Sequence, residues 1–577
     1  MRTGWLRVST AMILGVAMLP GCRGRFDTKP TPYIAELDLR SGMEEVESVG
    51  VLGVSINSGD GFSGLVIELR NRAKDKELKG LFLRLGDALH MQHAEELIGL
   101  IAPIKERGTP VHCYADGLSN ANAALAAKVC SRLVLAPSGE VSTTGLVSQN
   151  LYFNKLLTEK LGLVLDVLQV GKFKGAEEPF TRDSPSEEAR QSLESTLASI
   201  ETEWLSWLGA RPASVQHWKG APYPANESKV KGLVDELGYA DEALEDLKKL
   251  ASTQKVENIR HASDDAGSIW IRELFRAEHS PDIVVLRANG SISMGEGSSR
   301  KNGILERSFT RQVNDLMQDD AVKAVVLRID SPGGSALASD LMWHELRRLG
   351  AKKPLVVSVG GMAASGGYYL TSAGTRVYAD ATSIMGSIGV VGGKVVANDA
   401  IEKLGVHAET FTAAGSDPAR RARAAMESPL IRWDAPTKER VLAEMNDIYD
   451  LFLRRVAEGR AIDKEQVRAH AEGRIFSGRD AKSFGLVDEV GGLSSAIDYA
   501  KTTVHLPEGA TIGIYKSGGG LLERLGLGGA DTKAPTAWGA AAAALGGGSA
   551  LSSYLAAWEL LSTEKVLLLA PSYIEVR

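Results

Sequence analysis

The chain has 577 residues, far beyond the roughly 150 that serve as a prior for one domain, so two or more hydrophobic cores are expected. Its 44% hydrophobic and 24% charged residues are a globular composition, and 66 basic against 72 acidic side chains, a formal net charge of −6, argue against a nucleic-acid binder, which carries a basic domain or stripe. Three cysteines exclude a disulfide-rich scaffold and a multi-cysteine zinc cluster, and among the ten histidines there is no HExxH pair; His90 and His93 read as a solvated helix face.

Residues 1–22 read as an export signal. Arg2 and Arg7 give a positive start, and the apolar run Ala11–Leu19 is shorter than the roughly 20 residues that span a bilayer. The run closes on Leu19-Pro20-Gly21-Cys22, which resembles the bacterial lipobox and makes Cys22 the expected lipid-attachment residue. An uncleaved signal anchor is the alternative. Either one places the body of the chain in the bacterial cell envelope, membrane-tethered and facing the periplasm. No later apolar run reaches spanning length without a charge.

The chain is then written twice, at an offset of about 243 to 246 positions. In the first copy, a strand Gly80–Leu85 is followed by a helix Ala94–Arg107 and a strand Pro110–Tyr114. A small-residue helix Asn120–Lys128 and a strand Arg132–Ala136 complete it. The second copy repeats the order with Ala324–Ile329, Ala336–Leu349, Pro354–Val359, Ala364–Ser372 and Arg376–Ala379. Short β-branched runs alternating with helical periods predict parallel sheets with crossover helices, an α/β class. Longer helices are expected over Ser186–Leu208 and Pro436–Arg460. The expected units are an N-terminal repeat, 23–265, and a C-terminal repeat, 281–507, joined near His261–Ser280. A Gly/Ala-rich extension, 508–577, follows, with eleven glycines between Thr511 and Ala550. Within it Val566–Ala570 has the makings of a strand that docks back. Cys113 and Cys130 have the apolar neighbours of small core fillers, and export leaves a disulfide between them open.

Chemistry is expected where the copies differ. The second copy has Asp330-Ser-Pro-Gly-Gly-Ser335 after a strand, a turn whose amides can face developing negative charge. Further on, Gly360-Gly-Met-Ala-Ala-Ser-Gly-Gly-Tyr368 puts Ser365 at a strand-to-helix turn. Met385-Gly-Ser-Ile-Gly-Val390 adds a third small-residue turn with Ser387. A lone serine of this kind is ordinarily an N-cap; two glycine-rich turns at successive strand ends favour an active site. There is no GxSxG elbow, and His344 and His407 have no evident path to Ser365. A buried lysine can serve as the base if desolvation frees its amine. The first copy supplies Lys174 in Val170-Gly-Lys-Phe-Lys-Gly-Ala-Glu-Glu-Pro-Phe180, where the bland alternative is a surface lysine paired with Glu177 or Glu178. The second copy has no lysine between Lys403 and Lys438, and the first has Asn120, or with a one-residue slip Ser119, where the second has Ser365. One copy holds the base and the other the nucleophile.

These motifs resemble the long, duplicated form of the bacterial signal peptide peptidase A family, over about Val46 to Leu506. The most specific parts are Ala363–Tyr368, Asp330–Gly334, Thr382–Gly389 and Phe173–Phe180. The resemblance implies two tandem Clp/crotonase-like domains of the ββα spiral type. It also implies a serine endopeptidase with Ser365 as nucleophile, Lys174 as general base and Ser387 orienting the lysine. An oxyanion hole is implied at Gly333, Gly334 and Gly366. Implied substrates are signal-peptide remnants and other extended apolar peptides, and the implied assembly is a homotetramer. No metal or organic cofactor is expected. Whether Lys174 serves its own chain's Ser365 or a neighbour's stays open. Three rivals stand beside this: a crotonase-like acyl-thioester enzyme, a non-catalytic envelope scaffold, and a dinucleotide site at Gly59-Asp-Gly-Phe-Ser-Gly64 with Asp87.

Overall fold

The structure, a computed structural model, describes residues 31–45, 48–51, 54–57, 60–211, 213–259, 280–296, 303–413, 417–515, 557–558, 560 and 566–570. The expected signal segment with Cys22, nearly all of the expected join and most of the glycine-rich extension lie outside the described residues.

Parallel strands buried on both faces are continuous apolar runs, and two such sheets form the body of the molecule. The first is parallel throughout, in the order Val256–Asn258, Tyr33–Asp38, Leu78–Leu85, Val111–Ala115, Arg132–Leu135, Glu236–Leu237. The second repeats that order with Ile512–Ile514, Ile283–Asn289, Ala324–Ser331, Leu355–Ala364, Arg376–Ala379, Glu489–Val490. With helices such as Met91–Glu106 and Ala336–Lys352 on the crossovers, the fold is α/β with two tandem Clp/crotonase-like units. Ile512–Ile514, inside the stretch read as an extension, is the edge strand of the second sheet and the counterpart of Val256–Asn258.

A third sheet locks the repeats together. Its order is Ile304–Leu305, Ile292–Ser293, Gly333–Ser335, Val566–Leu569, Val390–Val396, Val164–Val170. Val164–Val170 comes from the first repeat and runs antiparallel to Val390–Val396 over seven residue pairs, from Val170↔Val390 to Val164↔Val396. The helix Glu187–Leu208 adds a second lock. Ser186 caps it by accepting from the Ala189 amide, and a four-residue spacing buries Ser192, Thr196, Ile200, Trp204 and Leu208 on one stripe. From that stripe Ser192 Oγ accepts from the Ile475 amide at 3.1 Å and Thr196 Oγ1 donates to the Ile475 carbonyl at 3.1 Å, gripping a strand of the second repeat.

Several expectations are corrected. His93 is not solvated: it is buried, stacked on Phe62 at 3.9 Å, because the helix Gly61–Arg72 covers its face. His407, which is read to lie ahead of a strand, is followed by none among the described residues 408–413, and both it and His344 are exposed. The strand before the GxGxxG segment, Val54–Asn57, belongs to a two-stranded antiparallel hairpin with Ser48–Val51, which removes the βαβ context a dinucleotide site needs. Gly59 itself lies outside the described residues.

Cys113, on the strand Val111–Ala115, and Cys130, just after the helix Asn120–Val129, form a disulfide with their Cα atoms 5.8 Å apart. Chain-entropy arguments for a bridge across 17 residues give a stabilisation of about 3 kcal/mol. Cys113→Ala/Cys130→Ala is therefore expected to lower the urea midpoint of the oxidised protein, while reductant lowers only the wild type. Equal midpoints for the two oxidised proteins would show the bridge to be energetically silent.

Candidate active site

Ser365 follows the strand Leu355–Ala364, whose two halves pair with different neighbours. Val356–Val359 lies beside Arg376–Ala379, and Met362–Ala364 beside Ile384–Gly386. The strand ends abruptly, and the helix Gly366–Thr371 starts at the next residue. At this junction Ser365 has φ 54° and ψ −114°, a left-handed conformation that costs a non-glycine residue on the order of 1–3 kcal/mol. Its backbone is held there by its amide, which donates to the Gly386 carbonyl at 2.7 Å, and by its carbonyl, which accepts from the Tyr369 amide at 2.8 Å. Ser387 is held in the same way, at φ 52°, with its amide donating to the Arg474 carbonyl at 2.7 Å.

Lys174 reaches both serines. The pairing of Val164–Val170 with Val390–Val396 delivers the loop 171–175 into the second repeat, where the Phe173 amide donates to the Glu472 carbonyl at 2.8 Å. Gly473, at φ +81°, makes the approach possible, since a Cβ there would lie 2.5 Å from the lysine's Cα and amide nitrogen. Lys174 Nζ lies 2.6 Å from Ser365 Oγ, 2.8 Å from the Ser387 carbonyl oxygen and 3.1 Å from Ser387 Oγ, all within one chain. All three side chains are fully buried. Burial pushes the Lys174 amine well below its ordinary value of 10.5, against the opposing field of Glu177. Burial also raises the Glu177 carboxyl to about 7. Glu178 is engaged elsewhere, accepting from the Ser186 amide at 2.9 Å, so the surface ion-pair alternative for Lys174 fails.

The three glycines part company. Gly333, at φ +98°, adjoins the residue after the serine: a Cβ on it would lie 2.6 Å from the Gly366 nitrogen, and one on Gly366 would lie 3.2 Å from Gly333 Cα. The Gly333 amide donates to Ser331 Oγ at 3.2 Å. Gly334 instead packs against Ile292, whose carbonyl oxygen would sit 1.9 Å from an added Cβ, and serves strand pairing. In the first repeat Ser119, not Asn120, precedes the corresponding helix. Its φ of −83° is relaxed, and Asn120 Nδ2 donates to the Gly145 carbonyl at 2.9 Å.

Sequence reasoning missed a buried ionic cluster at the inter-repeat contact. Arg328 Nε is 2.7 Å from Glu45 Oε1 and its Nη2 is 2.5 Å from Glu96 Oε1, with both carboxylates supplied by the first repeat. Glu95 adds a cap, accepting from the Ala381 and Thr382 amides at 2.7 and 3.0 Å; burial raises its carboxyl to about 7. Asp330 Oδ1 accepts from the Met362 amide at 3.1 Å, tying the glycine turn to the serine strand, and burial raises it to about 6. One signal was available: a lone arginine inside an apolar strand in both copies, Arg84 and Arg328.

The profile of peptidase family S49 matches residues 104–254 and 347–507, and that of the Clp proteases matches 286–402. The chloroplastic serine protease SPPA of Arabidopsis thaliana is 31% identical over 388 residues, 66% of this chain and 56% of that protein, so the chain spans little more than half of it. Protease 4 of Haemophilus influenzae is 30% identical over 463 residues, 76% of this chain and 72% of its own length. Protease 4 of Salmonella typhi is 30% identical over 464 residues, covering 77% and 72%.

Proposed function

The chain belongs to peptidase family S49 and is a serine peptidase, and from that premise we propose that it cleaves extended apolar peptides, signal-peptide remnants among them, with a Ser365–Lys174 dyad. The observation that carries the dyad is the 2.6 Å approach of a fully buried, desolvated amine to a serine held in a left-handed conformation. With its amine neutral, Lys174 accepts the Ser365 proton as Oγ attacks the peptide carbonyl. Ser387 keeps the amine aimed through its carbonyl and hydroxyl. The oxyanion settles on the Gly366 amide and on the Gly333 amide, which exchanges its 3.2 Å bond to Ser331 Oγ for the oxyanion, each such donor contributing on the order of 3 kcal/mol to the barrier. The resulting Lys174 ammonium then returns that proton to the leaving nitrogen, and water, deprotonated by the regenerated neutral amine, hydrolyses the acyl-enzyme. None of these steps requires a metal or organic cofactor.

The setting belongs to the same proposal. A lipid on Cys22 holds the chain to a membrane in the cell envelope, facing the periplasm, where apolar fragments are concentrated, and the protein works as a homo-oligomer, a tetramer by resemblance. No described helix is long and apolar enough to cross a membrane. The test is to treat the full chain with a fluorophosphonate and map the adduct by mass spectrometry. Ser365 is the expected site, and labelling of another serine in its place would overturn the dyad.

The glycine turn gives a second expectation. At Gly333 a side chain meets a φ of +98° and two backbone atoms, the Gly366 nitrogen at 2.6 Å and the Leu568 oxygen at 2.0 Å. Gly333→Ala is therefore expected to lower kcat about 100-fold or more by displacing an oxyanion donor. An unchanged kcat in steady-state kinetics would place that donor elsewhere.

A further inference from the structure

A peptide that meets Ser365 in extended form has to find a strand edge to pair with. Two edges border the site, Gly333–Ser335 and Val390–Val396, and both are taken by a segment near the end of this same chain. Val566–Leu569 runs antiparallel between them, with Leu569↔Gly333, Leu568↔Gly334 and Leu567↔Ser335 on one side. On the other side Leu567↔Val391 and Val566↔Gly392 pair. The slot is one strand wide. The segment then continues past Gly333, where the Ala570 amide donates to the Pro332 carbonyl at 2.9 Å.

Direction and side chains both fit a substrate. The segment runs N to C toward Gly333, the residue that adjoins the amide following Ser365, so its C-terminal end is the end nearest the nucleophile. That is the polarity of the acyl half of a bound peptide. Its side chains alternate as in any strand. Leu567 and Leu569 enter an apolar cluster with Leu157, Ala176 and Phe180, while Val566 and Leu568 enter the core of the second repeat. All five residues from Val566 to Ala570 are buried. A short leucine run seated in apolar pockets has the chemistry proposed above for the substrate.

We propose that Val566–Ala570 is the resident occupant of the acyl-side substrate slot, so that a peptide gains access to Ser365 only when this strand leaves. The inference rests on the peptidase function proposed above. It makes the chain its own competitive inhibitor: with the slot free a tenth of the time or less, the apparent affinity for peptide falls about tenfold or more.

The test compares the full chain with a form ending at residue 565, using a fluorogenic apolar peptide and the rate of fluorophosphonate labelling at Ser365. The truncated form is expected to show kcat/KM at least about tenfold higher, through KM, and to be inhibited competitively by a synthetic Val-Leu-Leu-Leu-Ala peptide. A second measurement needs no variant. Hydrogen exchange on the full chain, with and without an apolar peptide aldehyde bound to Ser365, is expected to deprotect the amides of residues 567–570 when the aldehyde binds. Equal KM values for two folded forms, or unchanged protection of 567–570 under the bound aldehyde, would overturn the occupancy and leave the peptidase intact. Absence of both hydrolysis and Ser365 labelling in every form would overturn the peptidase assignment and the occupancy with it.

Discussion

Ser365→Ala and Lys174→Met are each expected to lower kcat/KM for an apolar peptide by about four to six orders of magnitude, and the double variant to be no worse than either. The two side chains act as one unit: the hydroxyl attacks only if the amine takes its proton, so the second removal has nothing left to take away. Their stabilities should diverge. The folded-state pKa of Lys174 lies below the 10.5 of an ordinary lysine because burial penalises the ammonium. Between those two values the unfolded chain binds more protons than the folded one, and stability rises with pH across that window. At pH 7 the lysine is thus a burden on the fold. Lys174→Met should raise the urea midpoint at pH 7, with the gain shrinking toward pH 10.5. Activity has the matching sign: kcat/KM falls with unit slope as pH drops through the depressed lysine value, since the ammonium accepts no proton. Glu177 opposes the depression when ionised, so Glu177→Gln is expected to move the acid limb to lower pH. A limb left in place would detach Glu177 from the amine.

Much of this was readable from residues alone, and what was not has a physical reason. Ala324–Ser331 and Leu78–Leu85 announced themselves because strands buried on both faces are unbroken apolar runs. Lys174 and Ser365 stood out because each is missing from the other copy. The third sheet gave no such signal. Val164–Val170 carries Asp166 and Gln169, Gly333–Ser335 has almost no side chains, and both partners lie hundreds of residues away. The pairing that carries the lysine to the serine is therefore invisible to local periodicity. The same holds for Glu45 and Arg328, which are 283 residues apart. His93 read as solvated because a helical period reveals a polar face but not the helix that covers it. The glycine turn was legible as a place for amides, while the different jobs of Gly333 and Gly334 depend on which neighbour each backbone touches, Gly366 or Ile292.

Arg328 is expected to carry a large share of the stability of the inter-repeat contact. Its guanidinium is fully buried, and besides Glu45 and Glu96 it donates to Ser358 Oγ at 3.0 Å and to the Val359 carbonyl at 3.3 Å. Burial works against the charge on Glu45, but Arg328 and His93 beside it hold the carboxyl well below its ordinary value. A buried pair of this kind gains little over an apolar pair of the same shape, yet removing one partner strands the other. Arg328→Met leaves two carboxylates from the first repeat facing the second repeat with their strongest cation gone, and should cost about 3–5 kcal/mol at pH 7. The sign with pH separates this from a packing defect. In the wild type the contribution of Glu45 is present above its unfolded value near 4.5 and lost as pH falls through the lower folded value. In the variant the stranded carboxylate titrates above its unfolded value, so the deficit grows with rising pH and narrows toward pH 4. Urea midpoints of both proteins from pH 4 to 8 check this. A deficit independent of pH would mean lost packing alone, and Arg328→Met/Glu45→Gln/Glu96→Gln should recover part of the loss only if charge is the cause. Because the arginine's strand also carries Asp330 and leads into the glycine turn, a stability loss of electrostatic origin should be accompanied by a fall in kcat.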